Sequence, residues 1–115
     1  MIKTYEKKIS DSDLRSFLGK PYEEMIKFVA DVRLFKIALG GELHADAEEL
    51  MLEKGSRQED LWGINVYPDE EEGKMIEFSS MINIKPSQGN RTRGVEDKEI
   101  REKIRLGLKK LVSGQ

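Results

Sequence analysis

The sequence predicts an α+β fold, in which an antiparallel four-stranded meander carries N-terminal helices and a C-terminal helix packed on it. Three observations predict it: segments of branched and aromatic residues that end at glycine or proline, apolar residues at helical spacing near the N-terminus, and an amphipathic C-terminal segment. With 115 residues, 37% of them hydrophobic, the chain is expected to form a single domain, residues 1–115, around one core.

The first 30 residues are predicted to hold a short strand and two helices. Residues 2–9 alternate loosely between apolar and polar, which indicates an edge strand. Residues 10–13 supply oxygen atoms that cap a helix start. Pro21 suits the first position of a second helix. The apolar stripe of that helix would be Tyr22, Met25, Ile26 and Val29.

A hairpin is predicted around Gly40-Gly41, because tight hairpin turns need positive φ. Its first strand would be residues 32–39 and its second would lie in residues 42–54. The predicted cross-strand pairs are Ile37 with His44, Phe35 with Asp46, and Arg33 with Glu48. The alternative for residues 42–54 is a short helix that opens with a capping box and ends at Gly55. The strand is favoured, because a hairpin turn at Gly40-Gly41 requires a partner strand in residues 42–54.

The rest of the chain is predicted to complete the sheet and to cover it. Leu61–Tyr67 forms the third strand and Met75–Lys85 the fourth, with residues 56–60 as a polar hairpin tip and Trp62 in the core. The segment Glu96–Val112 is predicted to be a helix, although Gly107 inside it costs about 1 kcal/mol relative to alanine. The buried stripe of this helix would be Ile100, Ile104, Leu108 and Leu111.

Composition narrows the classes of protein. The chain has no cysteine, which excludes disulfides and zinc–thiolate sites. Its start lacks a signal-peptide pattern and no apolar run reaches the ~18 residues of a membrane span, so we expect a cytoplasmic location. Lys and Glu total 28 against six Asn and Gln, a thermophile-like balance. Residues 85–115 carry nine basic and four acidic groups, whereas residues 1–84 carry 11 and 18.

The basic segment contains the strongest candidate for a binding site. Residues 86–94 hold no acidic group, and they join the predicted fourth strand to the start of the last helix. Guanidinium groups bind phosphate or carboxylate through paired hydrogen bonds, and a helix start adds free N–H groups. The expected contacts to an anionic ligand come from Lys85, Gln88, Gly89, Asn90, Arg91 and Arg93. A purely structural loop is the alternative.

The single histidine suggests a second candidate site. On a strand, His44 would share one face with Asp46 and Glu48. One histidine among carboxylates has the composition of a general base or a metal site, with Arg91 and Asn90 stabilising developing negative charge. The same spacing is typical of a solvated polar face, and the residues specify no metal or cofactor.

Three strings in the chain resemble a small prokaryotic family known only as a domain of unknown function. They are residues 40–46 (GGELHAD), residues 55–68 (GSxQEDLWGxNxYP) and residues 82–91 (INIxPxQGNR). Asp97, Ile100 and Arg101 extend the likeness. The resemblance implies a stand-alone domain and no assigned activity, cofactor or partner.

Two functional hypotheses follow from these residues. The first is a non-catalytic module that binds an anionic ligand through residues 88–94: a nucleotide, a phosphorylated metabolite or nucleic acid. Nucleic acid is the weaker option, because the pI of 5.6 indicates no broad basic surface. A homodimer through an exposed sheet edge is compatible with this module. The alternative is a hydrolase or lyase that uses His44 with Asp46, Glu48 and Arg91.

Overall fold

The centre of the fold is an antiparallel sheet, seen in a computed structural model that describes residues 1–112. Within these residues the α+β class is confirmed, with five strands in the sheet rather than four. They follow the order β1-β3-β2-β4-β5, which differs from the chain order of the predicted meander. The strands are β1 (Ile2–Tyr5), β2 (Ile26–Asp31), β3 (Lys36–Gly40), β4 (Leu61–Val66) and β5 (Ile76–Glu77).

Helices cover both faces of this sheet. The larger core packs sheet residues such as Phe28 and Trp62 against α1 and α3 on one face. The smaller core packs Val29 against Ala47 of α2 on the other face. Among the described residues, no helix is long and apolar enough to cross a bilayer. The helices are α1 (Asp11–Arg15), α2 (His44–Glu53) and α3 (Lys98–Leu111).

The N-terminal region agrees with the sequence up to Pro21 and departs from it afterwards. The edge strand and the cap of the first helix are confirmed, since Ser10 Oγ accepts a hydrogen bond from the Asp13 N–H at 3.0 Å. The predicted second helix is wrong, because residues 26–31 form β2. This strand is buried on both faces and therefore shows the continuous apolar sequence of a central strand rather than an alternation.

The hairpin turn lies before the position predicted for it. Strands β2 and β3 pair with Phe28 opposite Leu39, so the chain turns at Val32–Phe35 and not at Gly40-Gly41. Asp31 Oδ1 accepts hydrogen bonds from the N–H groups of Arg33 at 2.8 Å and Leu34 at 3.1 Å, which fixes the turn without glycine. The predicted cross-strand pairs that depended on Gly40-Gly41 are wrong.

Residues 44–53 form the helix α2, the alternative reading of this segment. His44, Ala47 and Met51 are its buried residues, and their spacing of three and four places them on one helical face. The two glycines end β3 with φ values of 105° and 85° and lead into this helix. The strand predicted for residues 42–54 is therefore wrong.

The predicted fourth strand is much shorter than expected. Of residues 75–85, only Ile76–Glu77 pair with β4, and the chain then leaves the sheet. The side chain of Asn83 takes the place of a neighbouring strand: its Oδ1 accepts from the Gly63 N–H at 2.8 Å, and its Nδ2 donates to the Gly63 carbonyl at 2.9 Å. A carboxamide thus satisfies the edge of β4.

The C-terminal helix is confirmed as α3, with Asp97 as its N-cap instead of Glu96. Ile104, Leu108 and Leu111 are buried as predicted, and Ile100 is half-buried. Gly107 is buried against the aromatic ring of Phe35, a residue of the β2–β3 turn. A Cβ at position 107 would overlap that ring, which explains the glycine inside the helix.

Candidate functional site

The polar loop of residues 86–94 is held in place by Asn90. This buried side chain donates to the carbonyl oxygens of Asn83 at 2.7 Å and Gly94 at 2.7 Å, and its Oδ1 accepts from the Glu96 N–H at 2.8 Å. The backbone of Asn90 exchanges two further hydrogen bonds with Lys85. Asn90 was predicted to contact a ligand; its polar atoms instead fix the path of the loop.

Backbone N–H groups that were expected to receive an anion are occupied by the protein's own carboxylates. Glu96 Oε2 accepts from the N–H groups of Arg91 at 2.7 Å and Thr92 at 3.0 Å. The hydrogen bond from the Arg91 N–H has the larger effect in lowering the pKa of Glu96, and the one from the Thr92 N–H lowers it further. Asp97 Oδ1 caps the helix start by accepting from the Glu99 N–H at 2.8 Å. These backbone N–H groups therefore already have partners within the chain.

The two arginine side chains of the loop differ from its backbone in this respect. Arg91 and Arg93 are exposed, and within residues 1–112 neither guanidinium group has a carboxylate within 4.0 Å. The loop thus presents two exposed guanidinium groups without a close carboxylate partner, and the charge of Glu96 acts on Arg91 from a greater distance.

Lys27 on β2 extends this positive region. Burial lowers the pKa of Lys27, the charge of Glu77 opposes this, and the charge of Arg93 lowers the pKa further. Its ammonium group lies 3.4 Å from Asn65 Oδ1 and 5.5 Å from the centre of the Tyr22 ring. The charges of Arg93 and Lys27 therefore act on each other electrostatically.

The side chains of Lys85 and Gln88 both donate hydrogen bonds to backbone carbonyl groups of another segment of the chain. Lys85 is buried, and its Nζ donates to the carbonyl oxygens of Gln58 and, at 2.7 Å, Leu61, while lying 4.7 Å from the Trp62 ring. Burial lowers its pKa. Gln88 Nε2 donates to the Glu59 carbonyl at 3.1 Å. Lys85 is thus enclosed by the fold, whereas Gln88 is exposed at its surface.

His44 begins α2 and lies under the sheet rather than on a strand. It is 6% exposed, and its Nε2 is 2.8 Å from the Ile64 carbonyl, so Nε2 carries the proton. Burial lowers the pKa of His44 to about 4, against the opposing effect of the Ile64 hydrogen bond and with a smaller lowering by Lys27. The imidazole is therefore neutral near pH 7.

Of the two carboxylates predicted to act with His44, α2 places only one on the same face as the imidazole. Glu48 follows at the i+4 position on the same face of α2, and its Oε2 is buried without a partner among the described residues. Asp46 is exposed, two positions from His44 and so on another side of the helix. Within residues 1–112 no group of three or more His, Asp or Glu residues is placed to hold a metal ion.

A cleft of about 520 Å³, which was not predicted from the sequence, lies beside the loop. Asp60 in its wall is paired with Arg33 at 3.2 Å and Arg57 at 2.9 Å. The residues that line the cleft come from segments far apart in the chain, so only the fold brings them together. The lining consists of Val32, Glu59, Asp60, Trp62, Ser87, Gln88, Asp97, Glu99, Ile100 and Lys103.

These features define a small α+β domain with a cationic loop beside an acidic cleft. The chain belongs to the family described as "Protein of unknown function (DUF5674)", whose model matches residues 3–111. The resemblance to a domain-of-unknown-function family is thereby confirmed. No curated protein and no solved structure matches the chain.

Proposed function

We propose that this domain of unknown function is a non-catalytic module that binds an anionic ligand through the loop of residues 88–94. One observation carries the proposal: Arg91 and Arg93 are exposed and unpaired within the described residues, on a backbone that Asn90 holds in place. Because the backbone is already fixed, a ligand has to order only the two arginine side chains, which reduces the entropic cost of binding.

The ligand class follows from the arrangement of charge. Two guanidinium groups, with Lys27 near Arg93, suit a phosphate or carboxylate group that accepts paired hydrogen bonds. A nucleotide or phosphorylated metabolite fits this small region better than a nucleic acid, because the acidic cleft beside the loop would repel an extended phosphate backbone. A cytoplasmic location and a homodimer formed through an exposed sheet edge are parts of the same proposal, and both rest on the sequence.

The experiment measures thermal stability and heat of binding with inorganic phosphate, ATP and a short single-stranded oligonucleotide. A ligand at ten times its Kd stabilises the folded state by roughly 1.4 kcal/mol. We expect this effect with phosphate or ATP in the native protein and its loss in the double variant Arg91→Gln/Arg93→Gln.

Arg105→Gln is the matched control. Arg105 is an exposed arginine of α3 that pairs with Glu102 at 2.8 Å, so its replacement removes a similar charge that already has a carboxylate partner. The binding should persist in this variant. Stabilisation by none of the anions at millimolar concentration, or equal stabilisation of the double variant, would refute the proposal.

The hydrolase or lyase alternative, with His44, Asp46, Glu48 and Arg91, receives less support. In its favour, the neutral imidazole keeps a lone pair on Nδ1 for accepting a proton, and Lys27 lies within electrostatic reach of His44 and Arg93. Against it, Asp46 lies on another side of α2 and the burial of His44 limits access. Hydrolysis of phosphate or carboxylate esters that disappears in His44→Gln, with folding intact, would revive it.

A further inference from the structure

Two successive backbone N–H groups of the loop point at a single carboxylate oxygen. Glu96 Oε2 accepts from the Arg91 N–H at 2.7 Å and from the Thr92 N–H at 3.0 Å. Successive N–H groups arranged in this way form a small concave site for anions, of the kind that binds phosphate in other proteins. The loop therefore contains an anion site that a side chain of the same chain occupies.

The backbone of Glu96 is held independently of its carboxylate. The Glu96 N–H donates to Asn90 Oδ1 at 2.8 Å, and the Glu96 carbonyl oxygen accepts from Arg101 Nη1 at 3.1 Å. Glu96 is exposed, and within residues 1–112 no basic side chain lies within 4.0 Å of its carboxylate. The carboxylate can therefore leave the two N–H groups while these backbone hydrogen bonds keep the loop in place.

Electrostatics couple this carboxylate to an arginine of the proposed binding site. The hydrogen bond from the Arg91 N–H is the largest cause of the lowered pKa of Glu96, and the positive charge of Arg91 also lowers it. The negative charge of Glu96 in turn reduces the attraction of Arg91 for a second anion, because like charges repel. An external anion at Arg91 therefore competes with Glu96 both for the N–H groups and for the guanidinium charge.

We infer that Glu96 is a built-in competitor of the anion site and makes this site selective for a phosphate group over a carboxylate. The inference rests on the proposed function, since it concerns the same loop.

The selectivity follows from the chemistry of the competitor. A tethered side chain is present at an effective concentration on the order of millimolar, so a free monocarboxylate with the same chemistry does not displace it at lower concentration. A phosphate group carries about −1.5 to −2 charges at pH 7 and has three acceptor oxygens. Phosphate can therefore accept from the N–H groups of Arg91 and Thr92 and from the Arg91 guanidinium group together.

The test follows the backbone amide NMR signals of Arg91 and Thr92 while inorganic phosphate or acetate is added. Glu96→Ala removes the competing carboxylate, and Glu96→Gln removes its charge while keeping the shape of the side chain. We expect phosphate to bind roughly tenfold more tightly to Glu96→Ala than to the native protein, because a charge-assisted competitor is lost, and Glu96→Gln to change in the same direction. Millimolar acetate should shift both signals in Glu96→Ala and neither in the native protein.

Glu99→Gln is the matched control. Glu99 is an exposed glutamate in the first turn of α3, whereas the N–H groups of Arg91 and Thr92 are bonded to Glu96. This variant removes the same charge near the loop and leaves both N–H groups occupied. We expect its affinity for phosphate to stay close to that of the native protein.

The outcomes distinguish this inference from the proposed function. Equal phosphate affinity of the native protein and Glu96→Ala overturns the inference, while binding that depends on Arg91 and Arg93 leaves the proposed function standing. An equal gain in Glu99→Gln, or native binding of acetate as tight as that of phosphate, also overturns the inference. Phosphate binding by the Glu96 variants alone supports the competitor and refutes binding by the native loop. Absence of phosphate binding in every variant at millimolar concentration overturns both.

Discussion

Gly107 lies in the middle of α3, where alanine would normally stabilise a helix by about 1 kcal/mol. A Cβ at this position would come closer than 3.0 Å to three carbon atoms of the Phe35 ring. Carbon atoms in contact prefer about 3.5–4.0 Å, so the ring would have to retreat by more than about 1 Å. Phe35 lies in the β2–β3 turn with a backbone φ of 36°. Few backbone conformations are open to such a residue, which restricts the movement of its ring.

The net effect of Gly107→Ala is therefore expected to be destabilising. Overpacking of this kind costs about 1–3 kcal/mol, which outweighs the helix propensity that alanine adds. We expect a loss of about 1 kcal/mol in the free energy of unfolding, measured by urea denaturation followed by circular dichroism. The corresponding decrease in Tm is roughly 4 °C.

Phe35→Ala provides the control, because it removes the ring that Gly107 accommodates. In this background the same Gly107→Ala substitution should stabilise the protein by up to about 1 kcal/mol, so its sign reverses. A stabilising Gly107→Ala in the native background would refute the reasoning. An identical effect in both backgrounds would also refute it, since it would show that the two residues do not interact.

Three further predictions concern the buried polar groups beside β4. Asn83→Ala should destabilise by about 3 kcal/mol in urea denaturation, because it leaves the N–H and carbonyl of Gly63 without their partner; an effect below 1 kcal/mol would argue against the strand-replacing role. Gly63→Ala should also destabilise by about 1–3 kcal/mol, since its Cβ would lie 2.6 Å from Ser80 Oγ and 3.0 Å from His44 Cγ; a neutral result would show that these side chains yield easily. The pKa of His44 is lowered in the folded state to about 4, so its contribution is present above pH 6.5 and is lost as the pH falls toward 4. That contribution is roughly 3 kcal/mol, and the fall in stability across this pH window should be smaller in His44→Gln, whereas parallel pH profiles would contradict the shift.

Local patterns predicted α3 and β4 well and failed where tertiary structure decides. The stripe of α3 repeats over three turns, and the capping aspartate lies next to it in the chain. Strand β2 was mistaken for a helix because both of its faces are buried, so the alternation that identifies an exposed strand is missing. The turn at Val32–Phe35 depends on the Asp31 side chain, while Gly40-Gly41 had the more familiar hairpin composition.

The candidate site, too, could be predicted only in part, because contacts between distant segments determine its geometry. A polar loop is visible in the sequence, but the backbone partners of its side chains are not. Lys85 and Asn90 bond to carbonyl oxygens, two of which belong to segments more than 20 residues away, whereas both arginines of the loop, Arg91 and Arg93, are exposed as the charge pattern suggested. The acidic cleft was missed because Glu59 and Asp97 are far apart in the chain and meet only after folding.

The Asn83 carboxamide on Gly63 has a consequence for how copies of this protein meet. Exposed strand edges promote aggregation, because their free N–H and carbonyl groups pair with any extended chain. At Gly63 both groups are already occupied, and Lys85 occupies the neighbouring Leu61 carbonyl. An incoming β-strand therefore finds this part of β4 closed, whereas β1 is the edge strand at the opposite margin of the sheet.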